Sequence, residues 1–349
     1  MRLLILYTEL AGYVLVNIEA LIRQHANAEI LMVHYPINPE APFQFQSIDK
    51  VKSIIYNVDN ETAIRKEINA FNPEMIFCSG WTNQFYLSVV KSFKQSKRII
   101  GFDNHWRGTI KQYALTLTAK WHLLKWFDYA WVPGQPQLNY ALKMGFKPDN
   151  CFTGLYPGDV TLFSAIAKER FEQQNKPFPK VIISVARYIK EKDLATLWNA
   201  FISANEQTGN QWTLKCYGLG PLYNERVQHP SIQHLGFVQP QQMRNAISDA
   251  GVYVLPSKFE PWGVAVHEMA MSGLPLLLSD QVGARTMFLS AQNGFEFEAQ
   301  NTKHLTAVLV HIMQMNDDSL WAMARASHQL GMTLRNEDWC NTLIKIAKT

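Results

Sequence analysis

The chain has 349 residues, 47% hydrophobic and 18% charged, enough to bury two cores of ordinary domain size. A formal net charge of +4 demands no nucleic-acid partner for the chain as a whole, so any basic character must be local. Its four cysteines, Cys78, Cys151, Cys216 and Cys340, are far apart and form no CxxC pair, which excludes a zinc knuckle or a disulfide framework and fits a reducing cytoplasm.

The start, MRLLILYTELAGYVLVNIEALI, has the hydropathy of a signal peptide, but Glu9 and Glu19 interrupt it and no small-residue cleavage site follows. It is read instead as a strand, RLLILY (2–7), and the helix after it (11–25). Further strands are expected at 29–35, 53–57, 75–79, 98–102 and 129–134, with helical stretches between them. Continuous apolar runs alternating with helices imply a parallel sheet covered on both faces. A second series begins at KVIISVAR (180–187) and continues at 213–218, 232–237, 252–256 and 275–279. The polar, proline-bearing KERFEQQNKPFPK (168–180) between the series reads as a linker. The expected architecture is α/β: two doubly wound, Rossmann-like domains over 1–165 and 178–320, with ligand in the cleft between them. The helical segment 321–349 has no strand to serve and is available to pack back on the first domain. No run of eighteen apolar residues occurs, so no membrane span is expected.

The chemistry concentrates in the second series. FEPWGVAVHE (259–268) follows the strand VYVLP and opens a helix that Gly273 ends. Glu260 therefore stands on a loop at a strand's carboxyl end, and Glu268 about one and a half turns into the helix. Gly263 removes a side chain where the first helix N–H groups point outward, a ready anion site. Two carboxylates around such a site suit hydroxyls on either side of a diphosphate, the layout of a nucleotide sugar; the plain alternative is two solvated surface glutamates. Arg187 and Lys192 follow another strand across a turn and can neutralise a leaving diphosphate without metal, the alternative being an ordinary cationic turn. YGLGPL (217–222) is a third strand end, with glycines that by themselves signify only a tight turn.

In order and spacing these residues resemble the nucleotide-sugar domain of the retaining GT-B glycosyltransferases of family 4, the glycosyl transferases group 1. The match runs from Arg187 and Lys192 through Gly218, Gly220 and Pro221, then Gly236 and Phe237. It continues through PSKFEPWG with the Glu260–Glu268 pair, SGLPLLLSD (272–280) and Asn293–Gly294. The resemblance implies that Glu260 addresses the donor sugar and Glu268 the ribose. It further implies that backbone N–H groups around Gly263 and Val264 meet sugar and phosphate, and that Arg187 and Lys192 hold the diphosphate. The first half matches more loosely, with Gly12 near the phosphates. In IIGFDNHW (99–106), Asp103 falls where the family usually places a histidine beside the donor sugar; Asp103 is taken for that role, with His105 as the alternative.

The implied activity is metal-independent transfer of a sugar, with retention, from a nucleotide diphosphate sugar (UDP favoured, GDP the alternative) to a hydroxyl of a glycan or lipid-linked glycan, as in cell-surface polysaccharide assembly. A sugar-nucleotide epimerase or hydrolase and a non-catalytic glycan-binding relative are the other readings. No D-x-D stands at a strand end, Asp317–Asp318 reads as helix capping, and the histidines show no paired ligand spacing, so neither metal nor cofactor is expected. The glycines form no GxGxxG after a first strand, against a dehydrogenase. Residues 81–150 hold ten Lys or Arg against three Asp, with Trp106, Tyr113, Trp121, Trp126 and Phe127 interleaved. That mixture suits peripheral attachment to an anionic membrane surface, the alternative being a solvated basic face over core aromatics; nucleic acid is not expected there.

Overall fold

The computed structural model describes residues 1–209 and 211–349 and divides into two compact units. The first comprises Met1–Asn38, Phe43–Pro157 and Arg335–Thr349; the second comprises Pro39–Pro42 and Gly158–Leu334.

The first unit holds strands β1 (Arg2–Tyr7), β2 (Glu29–His34), β3 (Val51–Ile55), β4 (Met75–Ser79), β5 (Lys97–Gly101), β6 (Tyr129–Trp131) and β7 (Cys151–Phe152). They pair in parallel in the order β3-β2-β1-β4-β5-β6-β7. The order reverses between β1 and β4, the topological switch point where such sheets offer their carboxyl ends to ligands. Alternate residues of the central strands fall on opposite faces. Leu4, Leu6, Ile76, Cys78 and Ile100 join one core, and Leu3, Ile5, Met75, Phe77 and Ile99 the other. The terminal helix Asn336–Lys348 completes that second core with Trp339, Cys340, Leu343 and Ile346, and Asn336 donates to Asn17 of the first helix (2.8 Å).

The second unit holds β8 (Val181–Val185), β9 (Thr213–Tyr217), β10 (Ile232–His234), β11 (Val252–Leu255), β12 (Leu276–Ser279) and β13 (Gly294–Phe297). Their order is β10-β9-β8-β11-β12-β13, all parallel, with the reversal between β8 and β11. Two short strands, β7 and β13, are not legible as apolar runs, and the Asn293–Gly294 turn is the entry to β13. There the buried Asn293 amide bonds Phe288 O and Ser327 Oγ, a structural role.

The linker expected at 168–180 is corrected in its first part. Residues 168–171 are the last turn of the helix Val160–Phe171, which lies in the second unit. Arg170 is buried rather than solvated: its guanidinium donates to Ala250 O and Gly251 O. A charge that reads as linker polarity in the sequence thus ties this helix to the end of a loop. Capping at 317–318 is corrected by one residue, since Asn316 caps the helix and Asp317 accepts from Phe178 N (3.0 Å).

Candidate functional site

In the second unit, β8, β9, β10 and β11 run parallel, so the loops after them share one edge of the sheet. Arg187 and Lys192 follow β8, Gly218 and Gly220 follow β9, Phe237 follows β10, and Glu260 follows β11. The two glycines have a specific reason. A Cβ on Gly218 would stand 2.0 Å from Ala186 O and one on Gly220 2.6 Å from Tyr188 O. Their absence lets the loops lie backbone to backbone, with Tyr188 N bonding Leu219 O (2.8 Å) and Gly218 N bonding Gly236 O (2.7 Å). The loop bearing Arg187 is thereby fixed from the β9 side.

From the β11 side it is fixed by charge. Lys192 Nζ donates to Glu260 Oε2, and Ser257 Oγ lies 3.5 Å from the same oxygen. Glu260 is 8% exposed, and its backbone is held on both sides: its N–H bonds Gln281 O (3.2 Å), and its carbonyl accepts from Gly283 N (3.0 Å). Gly263 sits at φ +98°, a left-handed conformation that turns the chain into the helix Val264–Met271 directly over the Glu260 side chain. Trp262, buried against Phe288, pins the turn. Arg187 makes an ion pair with Glu40 at 3.5 Å, and Gln239 Nε2 donates to Pro42 O (2.9 Å) in the same segment.

Glu268 is half-buried; burial first, and then the Asp159 carboxylate, raise its pKa to about 7. Its neighbour His267 is fully buried, stacked on Phe288, and accepts from Gly158 N through Nδ1 (3.0 Å). Its Nε2 therefore carries the hydrogen and donates to Gly331 O (2.8 Å). Burial lowers this imidazole to about 4, so it is neutral and structural at pH 7. Neither Asp159 nor His267 was singled out by spacing; His267 is the chain neighbour of Glu268, whereas Asp159 comes near it only once the helix Val160–Phe171 is in place.

In the first unit, Gly12 opens the helix Gly12–Gln24 after β1, and Thr8 Oγ1 meets Ser79 Oγ at 3.1 Å across the switch point. Asp103 follows β5, and its carbonyl accepts from Gln137 Nε2 (2.9 Å). Three tyrosines absent from the sequence expectation surround it electrostatically. Tyr7, Tyr13 and Tyr156 are held well above the usual phenol range, by burial first and then by one another and the Asp103 carboxylate. With Asn17, Trp131 and Trp339 these tyrosines line a small cavity of about 20 Å³. The carbonyl of His105 accepts from Gln112 Nε2 (2.7 Å), part of the polar network that starts the next helix. Among the described residues, no three His, Cys, Asp or Glu are grouped to hold a metal ion, and no helix is long and apolar enough to cross a membrane.

Residues 165–328 match the family model of glycosyl transferases group 1. Through this segment the chain is similar to the glycosyl transferases group 1. Among curated proteins, none matches the chain by sequence. Solved structures match over nearly its whole length. Sucrose-phosphate synthase from Thermosynechococcus elongatus is 17% identical with a TM-score of 0.72, covering 100% of this chain and 98% of its own. Anabaena HepE in complex with UDP-glucose is 14% identical with a TM-score of 0.71, covering 99% and 100%. An E. coli trehalose-6-phosphate protein bound with UDP-2-fluoro glucose is 11% identical with a TM-score of 0.74, covering 100% and 99%. At these identities the likeness shows the fold, which is that of the GT-B glycosyltransferases. The matched segment contains Arg187, Lys192, Gly218, Gly220, Phe237, Glu260, Gly263 and Glu268.

Proposed function

We propose that this protein is a retaining, metal-independent glycosyltransferase. It would move a sugar from a nucleotide diphosphate sugar to a hydroxyl of a glycan or lipid-linked glycan in cell-surface polysaccharide assembly. The observation that carries the reading is the meeting of Lys192 with Glu260 at the switch point of the group 1 segment, with Arg187 on the same loop. A cation and a carboxylate on adjacent strand ends suit the two ends of a scissile sugar–phosphate bond. Lys192 and Arg187 stabilise the departing diphosphate, and Glu260 orients the sugar hydroxyls. Glu268, eight residues further along the chain, accepts from the ribose. The complexes of two structural neighbours with UDP-glucose and UDP-2-fluoro glucose favour a UDP-sugar over a GDP-sugar.

With the leaving group neutralised by fixed cations, the sugar needs no protein nucleophile. The acceptor hydroxyl attacks from the face the diphosphate leaves, the anomeric configuration is retained, and Asp103 stands beside the donor sugar. No metal and no cofactor is assigned a step. The test begins with thermal shifts in UDP-, GDP- and ADP-sugars, where a ligand at about 100 times its dissociation constant stabilises by roughly 2.7 kcal/mol. The anomeric configuration of the product by NMR then reads retention. Free UDP released with no acceptor product would make the protein a hydrolase instead.

A further inference from the structure

The helix Ile110–Thr118 has no fully buried side chain, with Leu115 packed partly buried against the core of the first unit. It is held at its start by polar capping: Thr109 Oγ1 accepts from Gln112 N, and Gln112 Oε1 accepts from Arg107 N (2.7 Å). At its far end Ala119 and Leu123 enter the core of the first unit. Between these anchors, Ile110, Tyr113, Leu117 and Trp121 recur at helical spacing and are 88%, 56%, 71% and 60% exposed. They are four of the eight exposed large apolar side chains among the described residues, so this is a stripe and not the scatter of an ordinary surface. Around the stripe, residues 104–127 carry Arg107, Lys111, Lys120 and Lys125 and no acidic residue. All four cations are exposed, and the Lys120 ammonium lies over the Trp121 ring.

We infer that this helix docks the protein on an anionic lipid bilayer, with Ile110, Leu117 and Trp121 entering the headgroup boundary and the lysines meeting lipid phosphates. An apolar ridge ringed by cations matches such a surface on both counts. A second copy of this chain, bearing the same cations, would match only the ridge, and a nucleic-acid backbone only the charge. Tyr113 has an amphipathic ring suited to the same boundary, stacked edge-on against Trp106 at 4.8 Å. Trp126, by contrast, is no part of this face: it is packed against the core and covered by Lys91. The inference deepens the lipid-linked side of the acceptor proposal and rests on that reading only for its purpose, since docking is measurable without transfer.

The test is co-sedimentation of the full chain with phosphatidylcholine vesicles and with phosphatidylcholine–phosphatidylglycerol vesicles, at low and high salt. Binding is expected to the anionic vesicles only, and to weaken in salt. Each lysine near the surface supplies about a fivefold factor, so Lys111→Glu, Lys120→Glu and Lys125→Glu together lower affinity by at least about a hundredfold. Ile110→Ser, Leu117→Ser and Trp121→Ser together lower it at least about tenfold at unchanged charge. All six side chains are exposed, and unchanged thermal unfolding of the variants checks the fold. Three outcomes overturn the inference: no binding to anionic vesicles, full binding by the serine variant, or a wild-type dimer in solution that the serine variant abolishes. UDP-sugar binding measured without vesicles reads the glycosyltransferase proposal separately, so loss of either leaves the other standing.

Discussion

Lys192 and Glu260 form an ion pair that joins the loop after β8 to the loop after β11, with only 16% and 11% of the two side chains exposed. Charges this sheltered depend on each other, because removing one leaves the other buried without its partner. The pair is also the point where the proposed phosphate cation and the proposed sugar carboxylate share a position, so donor binding has to redistribute it.

A double-mutant cycle checks both consequences. Lys192→Ala or Glu260→Ala alone is expected to cost about 2–4 kcal/mol of unfolding free energy, and the double variant less than the sum. Each single change should lower turnover by roughly a hundredfold or more. Strict additivity in denaturant unfolding would show that the pair carries no coupling.

Glu268 and His267 titrate in opposite senses, and their adjacency masks both. For Glu268 the folded pKa, about 7, lies above the ordinary carboxylate value near 4.5, so the folded state holds the extra proton and stability is lost as pH rises through that window. For His267 the folded pKa, about 4, lies below the ordinary 6.5, so the unfolded state takes the proton first and stability is lost as pH falls from 6.5 towards 4. Glu268→Gln removes the first effect only. It should add about 1–3 kcal/mol at pH 8 and little at pH 4.5, exposing the His267 slope. Urea unfolding at the two pH values reads this, and an unchanged difference from wild type would refute it. The same variant should weaken nucleotide and donor alike by calorimetry, whereas Glu260→Ala spares the free nucleotide.

Glu40 occupies the guanidinium of Arg187 at 3.5 Å, both side chains about a third exposed (33% and 37%). A pair this open is worth at most about 1 kcal/mol. Since a diphosphate would compete for the same cation, Glu40→Gln should tighten UDP-sugar binding by up to about fivefold with little change in melting temperature. Weaker binding in the variant would mean that Glu40 itself contacts the donor.

What the sequence made legible was whatever is written as period or local turn chemistry. The apolar runs of β1, β4 and β11 and the glycine bracket around Val264–Met271 could be read because strands and caps declare themselves over a few residues. The parallel order followed, and with it the shared edge carrying Arg187, Gly218 and Glu260. Pairings across long separations were not legible: Glu40 with Arg187, Asp159 with Glu268, and the tyrosines around Asp103 are brought together only by tertiary packing. Arg170 misled for a related reason, since charge in a sequence looks the same whether it is solvated or buried on carbonyls. The terminal helix could be read as a helix, but its place against the first helix depends on Asn17 and Asn336, which no periodicity links.

Asp103 offers the sharpest discrimination between a chemical and a packing role. Burial first, and the Asp103 carboxylate in addition, hold Tyr7, Tyr13 and Tyr156 above the usual phenol range, so those phenols report whether its charge is present. Asp103→Asn keeps the shape and removes the charge. If Asp103 stands beside the donor sugar, transfer should fall by roughly a hundredfold while UDP-sugar binding by calorimetry stays near wild type, because the lost interaction belongs to the transition state. The phenols should at the same time titrate lower in an ultraviolet pH titration, whichever role is correct, which verifies that the charge has gone. Unchanged turnover with that spectroscopic shift would reduce Asp103 to a packing residue. If His105→Ala were then the damaging change, the position beside the sugar would move two residues along the loop.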